Sequence, residues 1–150
     1  MSDWRKTLGE SVAAENEARQ SKVRAAESSV ERQRQNRARA IETMRREVIP
    51  GLQEVGAELA RHGRTLEVVD RSDPGTSAPE VRAKLSRPDR APFEIVFKCD
   101  PQPDMIRVSI RSSWGEGATN NDVSNGFDGL TKTFVINEVV SRYQASLAEG

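Results

Sequence analysis

The chain is short of the residues that most enzymes and metal proteins use for chemistry. It holds one cysteine, Cys99, and one histidine, His62. A lone cysteine excludes an internal disulfide framework and points to a reducing compartment. One residue of each type cannot supply the clustered ligands of a zinc site. A Cys–His nucleophilic pair would need both side chains within hydrogen-bond reach. Cys99 instead has the inward parity of a strand, and His62 stands at a helix end beside Gly63, so a buried structural thiol and a helix-terminal imidazole are expected. No run approaches the roughly 20 apolar residues of a membrane span. The opening residues MSDWRKTLGESV lack the apolar centre of a secretion signal. The expectation is a soluble, cytoplasmic protein.

Ligand-binding motifs are equally scarce. The glycines of GEG at 115–117 have neither of the phosphate-binding spacings. Asn120, Asp122 and Ser124, followed by Gly126, have part of the calcium-loop pattern. The glycine comes one position late, however, and Thr131 stands where the bidentate glutamate belongs. Asp100 and Asp104 sit in a proline-rich turn and read as turn residues. No catalytic, cofactor-binding or metal-binding residue is assigned, and a non-enzyme is expected.

What the chain has in quantity is charge, at 31% of residues, against 35% apolar residues and a formal net charge of zero. The halves differ. Residues 1–46 carry 11 basic and 7 acidic side chains, a net +4, and residues 47–150 carry 12 basic and 16 acidic, a net −4. Such asymmetry suits nucleic-acid contact, or association of an arm with a domain.

Residues 1–40, rich in Glu, Arg, Ala, Gln and Lys and free of proline, predict a projecting, charged helical arm. A heptad frame on Val23, Val30, Arg37 and Met44 makes a poor zipper seam, because Ala26, Gln33, Ala40 and Glu47 fill the other core position. Eleven-residue spacing does better. Leu8, Arg19, Val30, Ile41 and Leu52 share a line flanked by Val12 and Val23, a pattern for a nearly straight coiled coil interrupted by arginine.

Residues 41–150 predict an α+β domain. In 41–63, Ile41, Met44, Val48, Leu52, Val55 and Leu59 form one apolar stripe at helical spacing, and Pro50 lies inside it. A proline can restart a helix, but a restart would scramble the stripe, so a kinked and continuous helix capped by Gly63 is expected. Four strands follow within 64–114, at 64–70, 80–86, 93–99 and 105–114, with Val81, Ala83, Leu85, Phe93, Ile95, Phe97, Ile106, Val108 and Ile110 facing inward. A loop at 115–129, with room for a short strand near Val123, leads to a C-terminal helix at 131–147. Its apolar face is Ile136, Val139, Val140, Tyr143 and Leu147. The resulting α-β-β-β-β-α order, with short connections, predicts a two-layer domain with an antiparallel sheet under two helices.

Two groups of residues are candidates for binding a partner. Arg32, Arg34, Arg37, Arg39, Arg45 and Arg46 crowd the end of the arm, and Arg32, Arg39 and Arg46 share a helix face that could follow a phosphate backbone. No aromatic accompanies them to stack on bases. Arg82, Lys84, Lys98, Arg107 and Arg111, with Glu94, Val69 and Val96, project from the sheet face away from the helices and suit an acidic partner or a second copy. The function expected is therefore a non-enzymatic interaction or oligomerisation protein. Its arm self-associates or docks a protein partner, and its domain presents a recognition surface. Nucleic-acid binding through the arginine-rich helix is the alternative.

Overall fold

The computed structural model describes residues 3–72, 78–115, 117–122 and 126–148, with the backbone alone at 120–122. A single helical column opens it. Helix α1 (Asp3–Thr43) passes through one π-helical turn (Met44–Val48) directly into α2 (Ile49–Arg61). Five antiparallel strands follow, β1 (Leu66–Arg71), β2 (Glu80–Arg87), β3 (Arg90–Pro101), β4 (Ile106–Trp114) and β5 (Gly117–Asp122), in spatial order β1-β2-β3-β4-β5. A 3₁₀ turn (Phe127–Gly129) leads into α3 (Lys132–Ala148).

The column stays continuous because the chain widens just ahead of Pro50. A proline has no N–H to give the carbonyl four residues back, and its ring crowds that carbonyl. Here the N–H of Ile49 reaches back five residues to the Met44 oxygen, which opens the turn. The same turn aligns the core. Ala40, Met44, Val48 and Leu52 are all wholly buried and step by four residues. On a regular helix three such steps drift by about 120°, and the wide turn takes up part of that drift. At the far end Gly63, at φ 75°, closes α2. Its N–H bonds the Ala60 carbonyl at 3.1 Å and that of Arg64 bonds Leu59 at 2.9 Å, the paired bonds of a Schellman cap.

The helices lie on one face of the meander. Val81, Ala83 and Leu85 of β2, Phe93, Ile95, Phe97 and Cys99 of β3, and Ile106, Val108 and Ile110 of β4 form its buried side, as their alternation predicts. Three features differ from the sequence expectation. There are five strands. Trp114 at the end of β4 pairs with Gly117 at the start of β5, and Gly115 takes φ 65°. The loop expected at 115–129 therefore contains β5, whereas Val123 lies outside the described residues. Strand β3 is longer than 93–99 at both ends: it starts at Arg90 because only Pro88 and Asp89, the latter at φ 58°, turn the chain from β2, and it runs on through Asp100 and Pro101, which pair with Arg107 and Ile106 of β4.

The third difference concerns α3. Its buried line is Val135, Val139, Arg142 and Ser146. Ile136 and Tyr143 are half-buried, and Val140 and Leu147 are exposed. Two groups fix the start of this helix. Thr131 Oγ1 accepts from the Phe134 N–H at 3.2 Å, and Glu47 Oε2, from the π turn, accepts from the Lys132 N–H at 2.8 Å. Both satisfy first-turn donors, and the carboxylate sits at the positive end of the helix dipole.

Helices α2 and α3 pack closely at Gly51. A Cβ there would stand 3.0 Å from Val135 Cγ1 and 3.2 Å from the Lys132 carbonyl oxygen. Gly51→Val should therefore cost about 1–3 kcal/mol through overpacking. Gly9→Ala, with nothing within 4 Å of the added carbon, should strengthen the local helix by about 1 kcal/mol. Urea unfolding reads the first change, and amide exchange in the first three turns reads the second.

Candidate interaction surfaces

The arm is the most exposed part of the molecule. Every residue from Asp3 to Ser28 is exposed. The domain takes hold of α1 only near Gln33, whose Nε2 donates to the Pro101 carbonyl at 3.2 Å. One turn later Asn36 Nδ2 donates to the Gln102 carbonyl at 2.7 Å. Among the described residues, five large apolar side chains stand in solvent along the arm, namely Trp4, Leu8, Val12, Val23 and Val30. At about 100° per residue, all five fall within an arc of about 100° on one side of the helix. Gln33, Arg37, Ala40, Ile41 and Met44 fall within the same arc. The face that seats the helix on its own domain thus runs on, uncovered by any described residue, to Trp4.

The arginine group at the root of the arm is dispersed by the fold. Arg32 and Arg34 are exposed, and Arg34 lies 3.7 Å from Glu31. Arg37 is half-buried on the docked face, its Nε buried without a hydrogen-bond partner. Arg39 stacks on the Phe127 ring at 5.4 Å. Arg45 stands 4.0 Å from Asp70, and Arg46 stands 3.2 Å from Glu42 and 3.7 Å from Glu47. The small cleft between Arg39, Arg46 and the turn at Phe127 also contains Glu42, Glu47 and Asp128. A continuous cationic track for phosphates does not form there.

The open sheet face gathers the second group, but acids interleave with it. Register places Lys84 between Glu67 and Glu94, Arg82 between Val69 and Val96, and Arg107 opposite Asp100. Arg82 lies 3.2 Å from Glu80 and 3.6 Å from Glu94, and Arg71 lies 3.7 Å from Glu80. Around Val96 the face is concave, a depression of about 470 Å³ in which Lys98 and Arg111 stand among Ser109, Ser113 and these pairs. Opposite charges across strands stabilise the sheet and leave the face mixed in sign.

Most residues that line the domain's apolar groove were expected from sequence to pack in the core, and the groove itself was not expected. Beyond the contact at Gly51, α2 and α3 leave a cavity of about 270 Å³, walled by Val55 and Leu59 on one side and Ile136, Val140 and Tyr143 on the other. Leu66, Leu85 and Phe93 form its floor. Its only charged lining residues are Glu54 and Glu58, which pair with Lys132 and with Arg61 and His62 respectively. A trace of the groove exists in the sequence. The apolar residues of α3 form two adjacent lines, wider than one sheet face can cover.

His62 is exposed at the α2 cap, 3.4 Å from Glu58. Cys99 is buried on β3 opposite Val108, and burial pushes its thiol up to about 12, so it stays protonated and unreactive. No group of three or more His, Cys, Asp or Glu able to hold a metal occurs among the described residues. Of the partial calcium-loop pattern, Asn120 and Asp122 lie in β5, and Ser124 is outside the described residues. No helix among the described residues is long and apolar enough to cross a membrane.

Arg142 is the buried cation of the core. Its guanidinium reaches Glu138 at 3.3 Å, Ser112 Oγ at 3.0 Å and Thr119 Oγ1 at 2.9 Å, tying α3 to β4 and β5. No protein-family model matches the chain, and neither curated proteins nor solved structures gave a significant match. For Arg142→Ala we expect a loss of about 2–3 kcal/mol in urea unfolding, the scale for buried hydrogen bonds to a charged group. The loss should be accompanied by faster amide exchange in β5.

Proposed function

We propose that this chain is a non-enzymatic interaction protein of a reducing, cytoplasmic compartment, whose helical arm carries association and whose domain anchors and orients that arm. The observation that supports this reading most is the exposed apolar stripe from Trp4 to Val30. It lies in line with the buried face of the same helix. An amphipathic helix gains stability by covering such a stripe, and this chain covers only its last third. The single buried cysteine suits a reducing environment. The groove between α2 and α3 offers the domain's own surface for apolar side chains of a partner.

The nucleic-acid alternative has less to stand on. Arg39, Arg45 and Arg46 already face Phe127, Asp70, Glu42 and Glu47, and the basic sheet face is interleaved with acids. If the alternative held, binding to duplex or single strands would be strong at low salt and fall steeply as salt rises.

Analytical ultracentrifugation of the full chain and of a version beginning at Ser29, which keeps Gln33 and Asn36, tests the proposal. The full chain should sediment as an oligomer at tens of micromolar, or capture a partner that the shortened chain does not. A full chain that is monomeric at high micromolar concentration and captures nothing through its arm would overturn the proposal.

A further inference from the structure

The arm carries enough pattern to say what covers it. We propose that two copies pair through their arms in antiparallel orientation, stripe against stripe, about a two-fold axis at the level of residue 17. This deepens the association reading above and rests on it.

The stripe is self-complementary when reversed. Trp4 and Val30, Leu8 and Ala26, and Val12 and Val23 are each spaced symmetrically about residue 17 or the position just after it. An antiparallel pair with that midpoint sets the large side chain of each against the small or branched one of its mate, along both halves of the arm. The polar interruption obeys the same symmetry. Glu15 and Arg19 lie within the stripe, exposed and 3.6 Å apart on one helix. Reversal about residue 17 brings Glu15 of each copy to Arg19 of the other, so the two charges in the middle of the arc close into a four-membered network, while Arg5 and Lys22 stand at its margins. A parallel pair in register sets Arg19 against Arg19 and Glu15 against Glu15, and like charges at a helix interface are unfavourable.

Length points to the same arrangement. The described arm is exposed from Asp3 to Ser28, and the domain takes hold at Gln33. With the midpoint at residue 17, position 3 of one copy meets position 31 of the other, so the exposed stretch lies along the partner arm and stops short of the second domain. The tip cannot instead cover its own domain. Leu8 lies 33 residues before Ile41 on one continuous helix, a separation of about 50 Å. The contact is isologous and closes on itself as a dimer, with the two domains at opposite ends of a rod.

Disulfide trapping tests orientation directly, and the buried, protonated Cys99 leaves the background clean. Full-length Leu8→Cys and Ala26→Cys chains are prepared separately, both changes being at exposed arm positions. Under mild oxidation each alone should remain uncrosslinked, because the two Leu8 positions stand about 27 Å apart along the axis. An equimolar mixture should give the heterodimer as the main product. Self-crosslinking of each variant, with no crosslinked heterodimer in the mixture, would show parallel arms. That result would overturn this inference and leave self-association intact. A sedimenting dimer with no arm disulfide in any mixture would likewise overturn it, by assigning association to another surface. A wild-type chain that stays monomeric at high micromolar concentration would overturn both the inference and the self-association beneath it.

Discussion

Pro50 sets the condition on which the architecture depends. A proline inside a helix either ends it or forces the backbone to make room. In this chain the backbone makes room, through the π turn at Met44–Val48, and the Ile49 N–H finds the Met44 carbonyl five residues back. Three things follow from that one accommodation. The helix continues, so arm and core are one element. Ala40, Met44, Val48 and Leu52, spaced by four, share a buried line that a regular helix would spread apart. Glu47, carried on the same turn, reaches the first N–H of α3 and fixes where the second helix of the layer begins.

The arm is therefore an extension of the core, fixed at its root and open along its length. Within the domain, the docked face of the helix is satisfied by the sheet below it and by two amide side chains that grip the carbonyls of Pro101 and Gln102. Beyond Gln33 the same face carries Trp4, Leu8, Val12, Val23 and Val30 into solvent. Burial of apolar surface is favourable by roughly 25 cal/mol per Å², so a stripe of this kind favours a partner. The charge division acts in the same direction. The cations of Asp3–Ser28 stand in solvent, whereas Lys84, Lys98 and Arg107 of the sheet each face an acid on a neighbouring strand.

Much of this was legible in the sequence, and the rest fails for identifiable reasons. The unbroken stripe from Ile41 to Leu59 announced a continuous helix, and strict alternation announced β2, β3 and β4 with the correct faces. Strand β5 carried no such signal. Its inward register positions are Gly117, Thr119 and Asn121, paired with Trp114, Ser112 and Ile110, so no apolar alternation marks it. The face of α3 was displaced because Arg142 and Ser146, polar by type, are buried through hydrogen bonds to partners far along the chain. The apolar residues beside them were left to line the groove. Gln33 and Asn36 dock on backbone carbonyls, and Glu47 caps a helix 85 positions away. Contacts of these kinds leave no periodicity to read.

The central claim is that the π turn makes arm and domain one rigid body, and a distance distribution tests it most directly. Spin labels on cysteines placed at Ser21 on the arm and Lys98 on the open sheet face, both exposed, would be measured by pulsed electron resonance. Excess unlabelled chain would be added to suppress signals between copies. A continuous helix gives one narrow distance distribution, unchanged between the free and the associated protein. A broad distribution, or two populations, would show a hinge at Pro50 and would contradict the account.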